Sequence, residues 1–306
     1  MTVDLFDQTL PHGVVLSCRA TGKLGRPVLM FLHGFPEAAF VWDFLLEHFA
    51  RPENGGYRCI APNLRGFEHS SAPTDVRDYR PKHLVEDIAA LIELQCDGTP
   101  GALAALVAHD WGGAVAWNLA NQLPHLTRQL VIINSPHPGT FLRELQHSPA
   151  QQAASAYMNF LVRPDAEKLL AEDNYRRLWE FLTHGDEGYR TPAWLTEEVK
   201  AQYRGVWDAG LSGGCNLYRA SPLRPPQPQD RACAAVEIAR EALTISVPTL
   251  VIWGLNDIAL PPALIEGLGD YVCDLAVRPV PGASHWIVHE RPLQVAHWIG
   301  EFLLQT

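Results

Sequence analysis

Apolar residues in this chain are grouped in short blocks that end abruptly in glycine or polar residues, as in 28–32. Blocks without polar alternation are typical of strands whose two faces are both covered. Between them, apolar residues recur at helical spacing, as at Leu84, Ile88 and Leu91. The predicted strands are 14–18, 28–32, 58–62, 102–108, 129–134, 249–253 and 275–280, and the predicted helices include 38–49, 82–94, 114–123 and 293–304.

Buried strands that alternate with helices predict an α/β fold with a mostly parallel, doubly covered sheet. The pattern changes between residues 141 and 219, where only helical segments rich in Trp, Tyr and Leu occur. A proline-rich stretch, 221–230, resembles a linker that returns the chain to the sheet. We therefore expect an α/β core over residues 1–139 and 223–306, with an all-helical cap inserted over residues 140–222.

Composition limits the classes of partner. The 306 residues carry a formal net charge of -10, which argues against nucleic acid and anionic membrane surfaces. The N-terminus has neither a basic nor a long apolar segment, so we expect no secretory signal and a cytoplasmic protein. The six cysteines are scattered and form no C-x-x-C pair, which favours reduced thiols over disulfides or a metal site. We expect no cofactor.

The stretch 106–113 combines an apolar run, an abrupt polar pair and two glycines before a helix-forming segment. This order predicts a strand, a tight turn and a helix, the layout of a nucleophile elbow. Asp110 has the small residues Ala108 and Gly112 two positions before and after it, where the sharp turn leaves no room for large side chains. The alternative is that Asp110 only caps the helix.

An aspartate at the elbow indicates a particular chemistry. If a serine attacked a saturated carbon, it would form an ether, which water does not readily cleave. An aspartate forms an alkyl ester instead, and water can attack the ester at the aspartate carbonyl and regenerate the nucleophile. Asp110 therefore predicts a substrate with an electrophilic saturated carbon, either an epoxide or a carbon that bears a halide.

Several polar residues follow directly after predicted strands, where ligands bind in sheets of this kind. Asp110, Asp257 and His285 occur in the order nucleophile, acid, histidine. We expect His285 to be the general base that activates water, and Asp257 to orient its ring and stabilise the imidazolium. The alternatives are that Asp257 is a turn residue and His285 a surface histidine, with His289 as a competing base. Residues His33 and Asn134 also follow strands.

Six short motifs extend across nearly the whole chain: His33-Gly-Phe-Pro-Glu37, Asn63-Leu-Arg-Gly66, His109-Asp-Trp-Gly-Gly113, Asn134-Ser-Pro-His-Pro138, Gly254-Leu-Asn-Asp257 and Gly282-Ala-Ser-His-Trp286. With these motifs in this order, the chain resembles α/β-hydrolases of the epoxide hydrolase and haloalkane dehalogenase branch, and most of all a bacterial epoxide hydrolase.

This resemblance implies an oxyanion hole made by the backbone N–H groups of Phe35 and Trp111, and a cis peptide bond between Phe35 and Pro36. Glu68 departs from the family pattern, which usually has glycine at this position. We expect the substrate to be contacted by His33, Pro36, Trp111 and Asn134.

Opening an epoxide leaves an alkoxide, so the site needs a proton donor, and similar epoxide hydrolases use two cap tyrosines. Tyr218, in Asn216-Leu-Tyr-Arg219, best fits the family pattern, and Tyr157 is the second candidate. Either could instead be a core aromatic whose hydroxyl reaches the surface. The other tyrosines available are Tyr175, Tyr189 and Tyr203.

Dehalogenases with the same nucleophile are the alternative function. Phe35 offers no side-chain donor where haloalkane dehalogenases often have asparagine. Haloacetate dehalogenases have arginines at the positions of Trp111 and Ala114, so a bidentate clamp for a carboxylate is missing. Some of them take the triad acid from the position of Asn134, whose amide cannot replace a carboxylate. We therefore expect an epoxide hydrolase that acts with water on a small apolar epoxide or, alternatively, an organohalide. A ligand-binding protein with little turnover is a further alternative.

Overall fold

A computed structural model describes residues 2–96, 102–183, 191–227, 230 and 232–305. Within these residues the sheet has eight strands in the order β1-β2-β4-β3-β5-β6-β7-β8. Strands β1 and β2 are antiparallel to their neighbours, and all pairs from β4 to β8 are parallel. The strands are β1 (Asp4–Thr9), β2 (Val15–Thr21), β3 (Val28–Leu32), β4 (Arg58–Pro62), β5 (Ala105–His109), β6 (Leu130–Ile133), β7 (Thr249–Gly254) and β8 (Leu275–Val280).

The central strands are fully covered. Every residue of β3, β5, β6 and β7 is buried, as expected for a sheet with helices on both faces. Helices α2 and α3 pack against each other, as do α1 and α11. The helices of this part of the chain are α1 (Asp43–Ala50), α2 (Pro81–Gln95), α3 (Asp110–Gln122), α10 (Ile287–Glu290) and α11 (Pro292–Leu303).

Between β6 and β7 the described residues form helices, and none of them belongs to a strand of the sheet. The predicted all-helical insertion into a doubly covered sheet is confirmed. Helix α7 is interrupted at Glu172–Tyr175, where three consecutive residues have positive φ. The helices are α4 (Pro138–His147), α5 (Pro149–Ala154), α6 (Ala156–Leu161), α7 (Ala166–Thr183), α8 (Glu197–Ala209) and α9 (Ser212–Ala220).

The boundaries 139/140 and 222/223 between core and cap stay a prediction. The linker predicted over 221–230 includes residues 228 and 229, which lie outside the described residues.

Sequence periodicity missed strand β1, which pairs with β2 at the edge of the sheet. None of its residues is fully buried and Leu5 is 70% exposed, so β1 lacks the continuous apolar run of the central strands.

Candidate active site

The turn between β5 and α3 holds Asp110 in a left-handed backbone conformation, with φ of 49°. This conformation is rare for residues other than glycine and occurs often at functional sites. The turn also requires small neighbours, because a Cβ atom on Gly112 would lie 2.4 Å from the backbone oxygen of Leu32. The strand, turn and helix expected of a nucleophile elbow are therefore all present around Asp110.

The carboxylate of Asp110 faces two different groups. The backbone N–H of Phe35 donates to its Oδ1 at 2.8 Å. Its Oδ2 lies 3.8 Å from Nε2 of His285. The hydroxyl of Ser135 also donates to the backbone oxygen of Asp110, at 2.6 Å. One carboxylate oxygen is thus held by a backbone donor, and the other faces the candidate base.

Asp257 fixes the ring of His285 from the other side. Nδ1 of His285 lies 2.7 Å from Oδ2 of Asp257. The carboxylate can only accept, so Nδ1 carries the proton and Nε2 points towards Asp110. The backbone N–H groups of Ala259 and Leu260 donate to Oδ1 of Asp257 at 2.9 and 2.8 Å. Residues 110, 257 and 285, which are far apart in the sequence, therefore form a continuous line of contacts.

The electrostatics of His285 depend on its carboxylate neighbours. Burial disfavours the charged imidazolium, but the negative charges of Asp257, Asp110 and Glu37 outweigh this effect and raise the pKa of His285 to about 9. At neutral pH the ring of His285 in the free enzyme is therefore an imidazolium. Loss of the charge on Asp110 would lower the pKa of His285 towards the range in which it can accept a proton.

Tyr157 and Tyr218 lie together beside the nucleophile, and both line a cavity that Asp110 and Trp111 also line. The ring of Tyr218 lies between those of Phe35 and Trp111, at centroid distances of 5.7 and 5.0 Å, and 6.0 Å from that of Tyr157. Burial raises the pKa of both hydroxyls, and the charge of Asp110 raises it further. Both hydroxyls therefore keep their protons at neutral pH and can donate hydrogen bonds.

The other tyrosines differ in their surroundings. The hydroxyl of Tyr175 donates to the Asp208 carboxylate near the protein surface. Tyr203 is buried, and its hydroxyl contacts Glu37 and His289. Tyr189 lies outside the described residues. Of the described tyrosines named as candidates, only Tyr157 and Tyr218 line the cavity with Asp110.

The structure does not bring all the predicted substrate contacts to the cavity. His33 is completely buried, with Nδ1 2.8 Å from the oxygen of Gly34, and its Nε2 accepts from Leu64 N–H at 3.0 Å. Burial also lowers the pKa of His33 to about 4. Both ring nitrogens are occupied by backbone groups, so His33 has no free polar atom for a substrate.

Asn134 and Pro36 also face protein groups. The side chain of Asn134, which is completely buried, donates to Oδ2 of Asp257 at 2.8 Å and accepts from the N–H of Gly254 at 2.8 Å. The peptide bond from Phe35 to Pro36 is cis, as the resemblance implies. The oxygen of Pro36 accepts from the indole N–H of Trp207 at 2.8 Å. Among the expected substrate contacts, Trp111 alone is found on the cavity wall of the described structure.

Sequence reasoning assigned no role to several residues of the site. Glu37 and His109 were part of the matching motifs, and the structure pairs them directly beneath His285. His289, the competing base, stacks on Trp194 and contacts Tyr203 and Glu37 instead of the nucleophile. The motifs that contain Glu37 and His109 were the signal in the sequence, but they did not reveal the hydrogen-bond partners of these two residues. The cavity wall also includes Pro136, Pro138, Phe141, Met158, Leu223 and Leu260.

Among the described residues, no group of three or more His, Cys, Asp or Glu side chains could hold a metal ion. No helix in this described part of the chain is both long and apolar enough to cross a bilayer. The six cysteines are free thiols, and of these Cys273 is exposed.

Fold and site define an α/β-hydrolase, and comparison with known proteins agrees. Residues 27–292 match the family described as alpha/beta hydrolase fold, and the chain belongs to this family. An AB hydrolase superfamily protein of Bacillus subtilis is 32% identical, over 95% of each chain. Epoxide hydrolase 3 of Xenopus tropicalis is 31% identical, over 93% of this chain and 73% of its own. The predicted resemblance to the epoxide hydrolase branch is confirmed.

Solved structures are similar over the whole chain. One described among novel epoxide hydrolases of the alpha/beta hydrolases superfamily, in metagenomes from hot environments, has 34% identity and a TM-score of 0.86, with 100% of both chains covered. The epoxide hydrolase of Bacillus megaterium in complex with an inhibitor has 27% identity and a TM-score of 0.83, over 98% of this chain and 100% of its own. The α/β-hydrolase fold is therefore supported by both sequence and structure.

Proposed function

We propose that this protein hydrolyses epoxides to vicinal diols through an ester on Asp110. The observation that carries the proposal is the surroundings of the Asp110 carboxylate. One of its oxygens accepts from a backbone N–H, the other faces His285, and two protonated tyrosines line the same cavity. The similarity to proteins named epoxide hydrolases supports the same substrate class.

In the first step, Oδ2 of Asp110 attacks an epoxide carbon and the bond from that carbon to the epoxide oxygen breaks. Tyr157 and Tyr218 donate to this oxygen, and one of them transfers its proton to the alkoxide. The ester removes the negative charge of Asp110 and lowers the pKa of His285. The imidazolium then returns a proton to the tyrosinate through water, which leaves His285 neutral.

In the second step, Nε2 of His285 takes a proton from water, and the hydroxide attacks Cγ of Asp110. The N–H groups of Phe35 and Trp111 stabilise the oxyanion, a contribution of about 3 kcal/mol per donor in other enzymes. The bond from Cγ to the substrate oxygen then breaks, and the diol oxygen takes the proton of the new carboxylic acid. Asp257 holds the imidazolium that forms, and the site returns to its starting state.

The cavity wall supports a small apolar substrate, because it is built from Pro, Phe, Met and Leu side chains around the nucleophile. Water is the second substrate. The net charge of -10 gives no support for a nucleic acid or membrane partner. The cytoplasmic location stays a prediction.

The dehalogenase hypothesis uses the same nucleophile, but its leaving group needs different donors. Two protonated hydroxyls suit an alkoxide, which needs a proton, better than a halide, which leaves without one. The hypothesis of a ligand-binding protein does not explain why a base faces the nucleophile and is oriented by a buried carboxylate. Both alternatives remain outcomes of the experiment.

The test is His285→Gln, incubated separately with styrene oxide and with 1-bromobutane, followed by intact and peptide mass spectrometry. Without the base, the ester should accumulate, so Asp110 should gain the mass of the whole epoxide. The double variant with Asp110→Asn should gain nothing. A butyl group alone on Asp110, with bromide released and no epoxide adduct, would indicate a dehalogenase. If no adduct formed and the wild type turned over neither compound, the result would favour the hypothesis of a ligand-binding protein.

A further inference from the structure

We propose that His109 is a positioning residue, which holds the backbone of His285 so that this base can activate water against the ester on Asp110. The inference rests on the proposed function and adds a residue to its second step. His109 is the last residue of β5, directly before the nucleophile. It therefore joins the strand that carries the nucleophile to the loop that carries the base.

The ring of His109 is completely buried between two acceptors. Nδ1 lies 2.9 Å from Oε2 of Glu37. Nε2 lies 3.0 Å from the backbone oxygen of His285. The centroids of the His109 and His285 rings are 4.7 Å apart. His109 thus contacts the base residue through its backbone and leaves the imidazole of His285 free to face Asp110 and Asp257.

The ring of His109 must donate to His285. A backbone carbonyl can only accept, so Nε2 of His109 carries a proton. Nδ1 of the same ring faces the Glu37 carboxylate. Burial raises the pKa of the Glu37 carboxyl, but its interactions with His109 and His289 outweigh burial and hold this pKa well below the usual value. Both ring nitrogens of His109 therefore have buried hydrogen-bond partners.

The pair is held in place from the cap as well. The hydroxyl of Tyr203, on α8, donates to Oε1 of Glu37 at 3.1 Å. His289 Nε2 lies 3.3 Å from the same oxygen. If the His109 ring turned away, the Glu37 carboxylate and the backbone oxygen of His285 would each lose a buried hydrogen-bond partner. The orientation of Nε2–H towards His285 is therefore strongly fixed.

The two chemical steps should depend on His109 to different extents. Ester formation needs the carboxylate of Asp110, which Phe35 N–H holds without help from His285. Ester hydrolysis needs Nε2 of His285 at the right distance from a water molecule beside Asp110. A displacement of about 1 Å can slow a step about 100-fold. A change in the His285 backbone should therefore affect hydrolysis of the ester and leave its formation unaffected.

Two substitutions separate the two contacts of His109. Asparagine places its amide nitrogen near the position of Nδ1, so His109→Asn keeps the bond to Glu37 and loses the bond to His285. Glutamine reaches the position of Nε2, so His109→Gln keeps a donor for His285 and loses the one for Glu37. His137→Asn is the matched control. His137 is also buried, its Nε2 also contacts a backbone oxygen, that of Leu243 at 2.9 Å, and its loss leaves His285 untouched.

The experiment measures formation and decay of the Asp110 ester in single turnovers of styrene oxide by rapid quench and mass spectrometry, with folding checked by thermal unfolding. His109→Asn should slow ester hydrolysis at least tenfold, with ester formation unchanged within about twofold. His109→Gln should retain most of the hydrolysis rate. In His137→Asn the ratio of the two rates should stay that of wild type. Equal slowing of both steps in His109→Asn, or equal loss in His109→Gln and His109→Asn, would overturn the inference.

A second measurement does not depend on the reaction. The proton between His285 Nδ1 and Asp257 should give a downfield proton NMR signal, which His285→Gln removes. His109→Asn should broaden or shift this signal, and His137→Asn should not. A wild type that forms no ester contradicts the proposed function, and this signal then decides the positioning role alone. It also decides the role if His109→Gln does not fold. An unchanged signal in His109→Asn would contradict the inference.

Discussion

Asn134 donates from Nδ2 to Oδ2 of Asp257 at 2.8 Å, and this oxygen also accepts the Nδ1–H of His285. The asparagine occupies the position from which some related enzymes take the triad acid, and here it contacts the acid that follows β7. Its own carbonyl accepts from Gly254 N–H, so its orientation is fixed. Asn134 therefore holds the carboxylate of Asp257 in the geometry that orients the base.

Removal of the Asn134 side chain should slow hydrolysis of the ester. Asn134→Gly is the suitable change, because the residue has φ of 38°, which glycine tolerates without strain. Loss of one charge-assisted hydrogen bond of about 1.4 kcal/mol corresponds to a tenfold lower rate. Ester decay after a single turnover measures this. Asn121→Ala is the control, because it removes a hydrogen bond from a side-chain amide to the backbone oxygen of Thr244, remote from the triad. An unchanged rate in Asn134→Gly would contradict this role.

Replacement of Asp110 should lower the pKa of His285. The charge of Asp110 is one cause that raises this pKa to about 9, so Asp110→Asn removes an anionic neighbour and destabilises the imidazolium. An NMR titration of the His285 ring proton should give a lower pKa in Asp110→Asn than in wild type. Asp165→Asn, near the surface and paired with Arg163, should leave the value unchanged. If the pKa of His285 stayed the same or rose, ester formation on Asp110 could not be the event that makes His285 able to accept a proton.

The two cavity tyrosines should matter for epoxides and not for halides. Tyr157→Phe and Tyr218→Phe each remove a proton donor, and each should slow ester formation from styrene oxide by about 10²-fold or more. Esterification by 1-bromobutane, where it occurs, should change little, because bromide needs no proton. Tyr175→Phe, which removes a hydroxyl that contacts Asp208, is the control. Equal slowing with both compounds would show that the tyrosines only shape the cavity.

Gly34 should tolerate no side chain. A Cβ atom at this position would lie 2.2 Å from Oδ1 of Asp110, so Gly34→Ala must displace the nucleophile. Ester formation should fall by about 100-fold or more. In Gly205→Ala, on α8, the new Cβ meets no atom within 4 Å. This control should keep wild-type activity and gain about 1 kcal/mol of stability from helix propensity. Normal ester formation in Gly34→Ala would disprove the close approach.

The fold was predictable because buried parallel strands leave an unmistakable pattern. Strands β3, β4 and β8 have the predicted bounds, and β5 ends one residue later than predicted. Helix α3 starts at Asp110 instead of 114, since glycines in the first turn concealed its start. β1 escaped prediction because an edge strand buries too little apolar surface to produce a continuous run.

The chemistry of the site was also readable, because the small residues around Asp110 and the order of acid and histidine after strands are local features. Which of these polar residues reach the cavity was not. His33 and Asn134 follow strands just as Asp110 does, yet their side chains are completely buried and do not line the cavity. A loop after a strand can direct a side chain to either side, and the sequence does not record which.

The order of residues in short stretches determines the nucleophile, the type of substrate carbon it attacks and the layered fold. It does not determine the hydrogen-bond partners of each polar group. The Glu37 and His109 pair beneath His285, the bond from Asn134 to Asp257 and the position of the tyrosines over Asp110 all join residues distant in the sequence. Such contacts depend on how the strand ends and cap helices pack together, and only the folded chain brings their donors within reach of their acceptors.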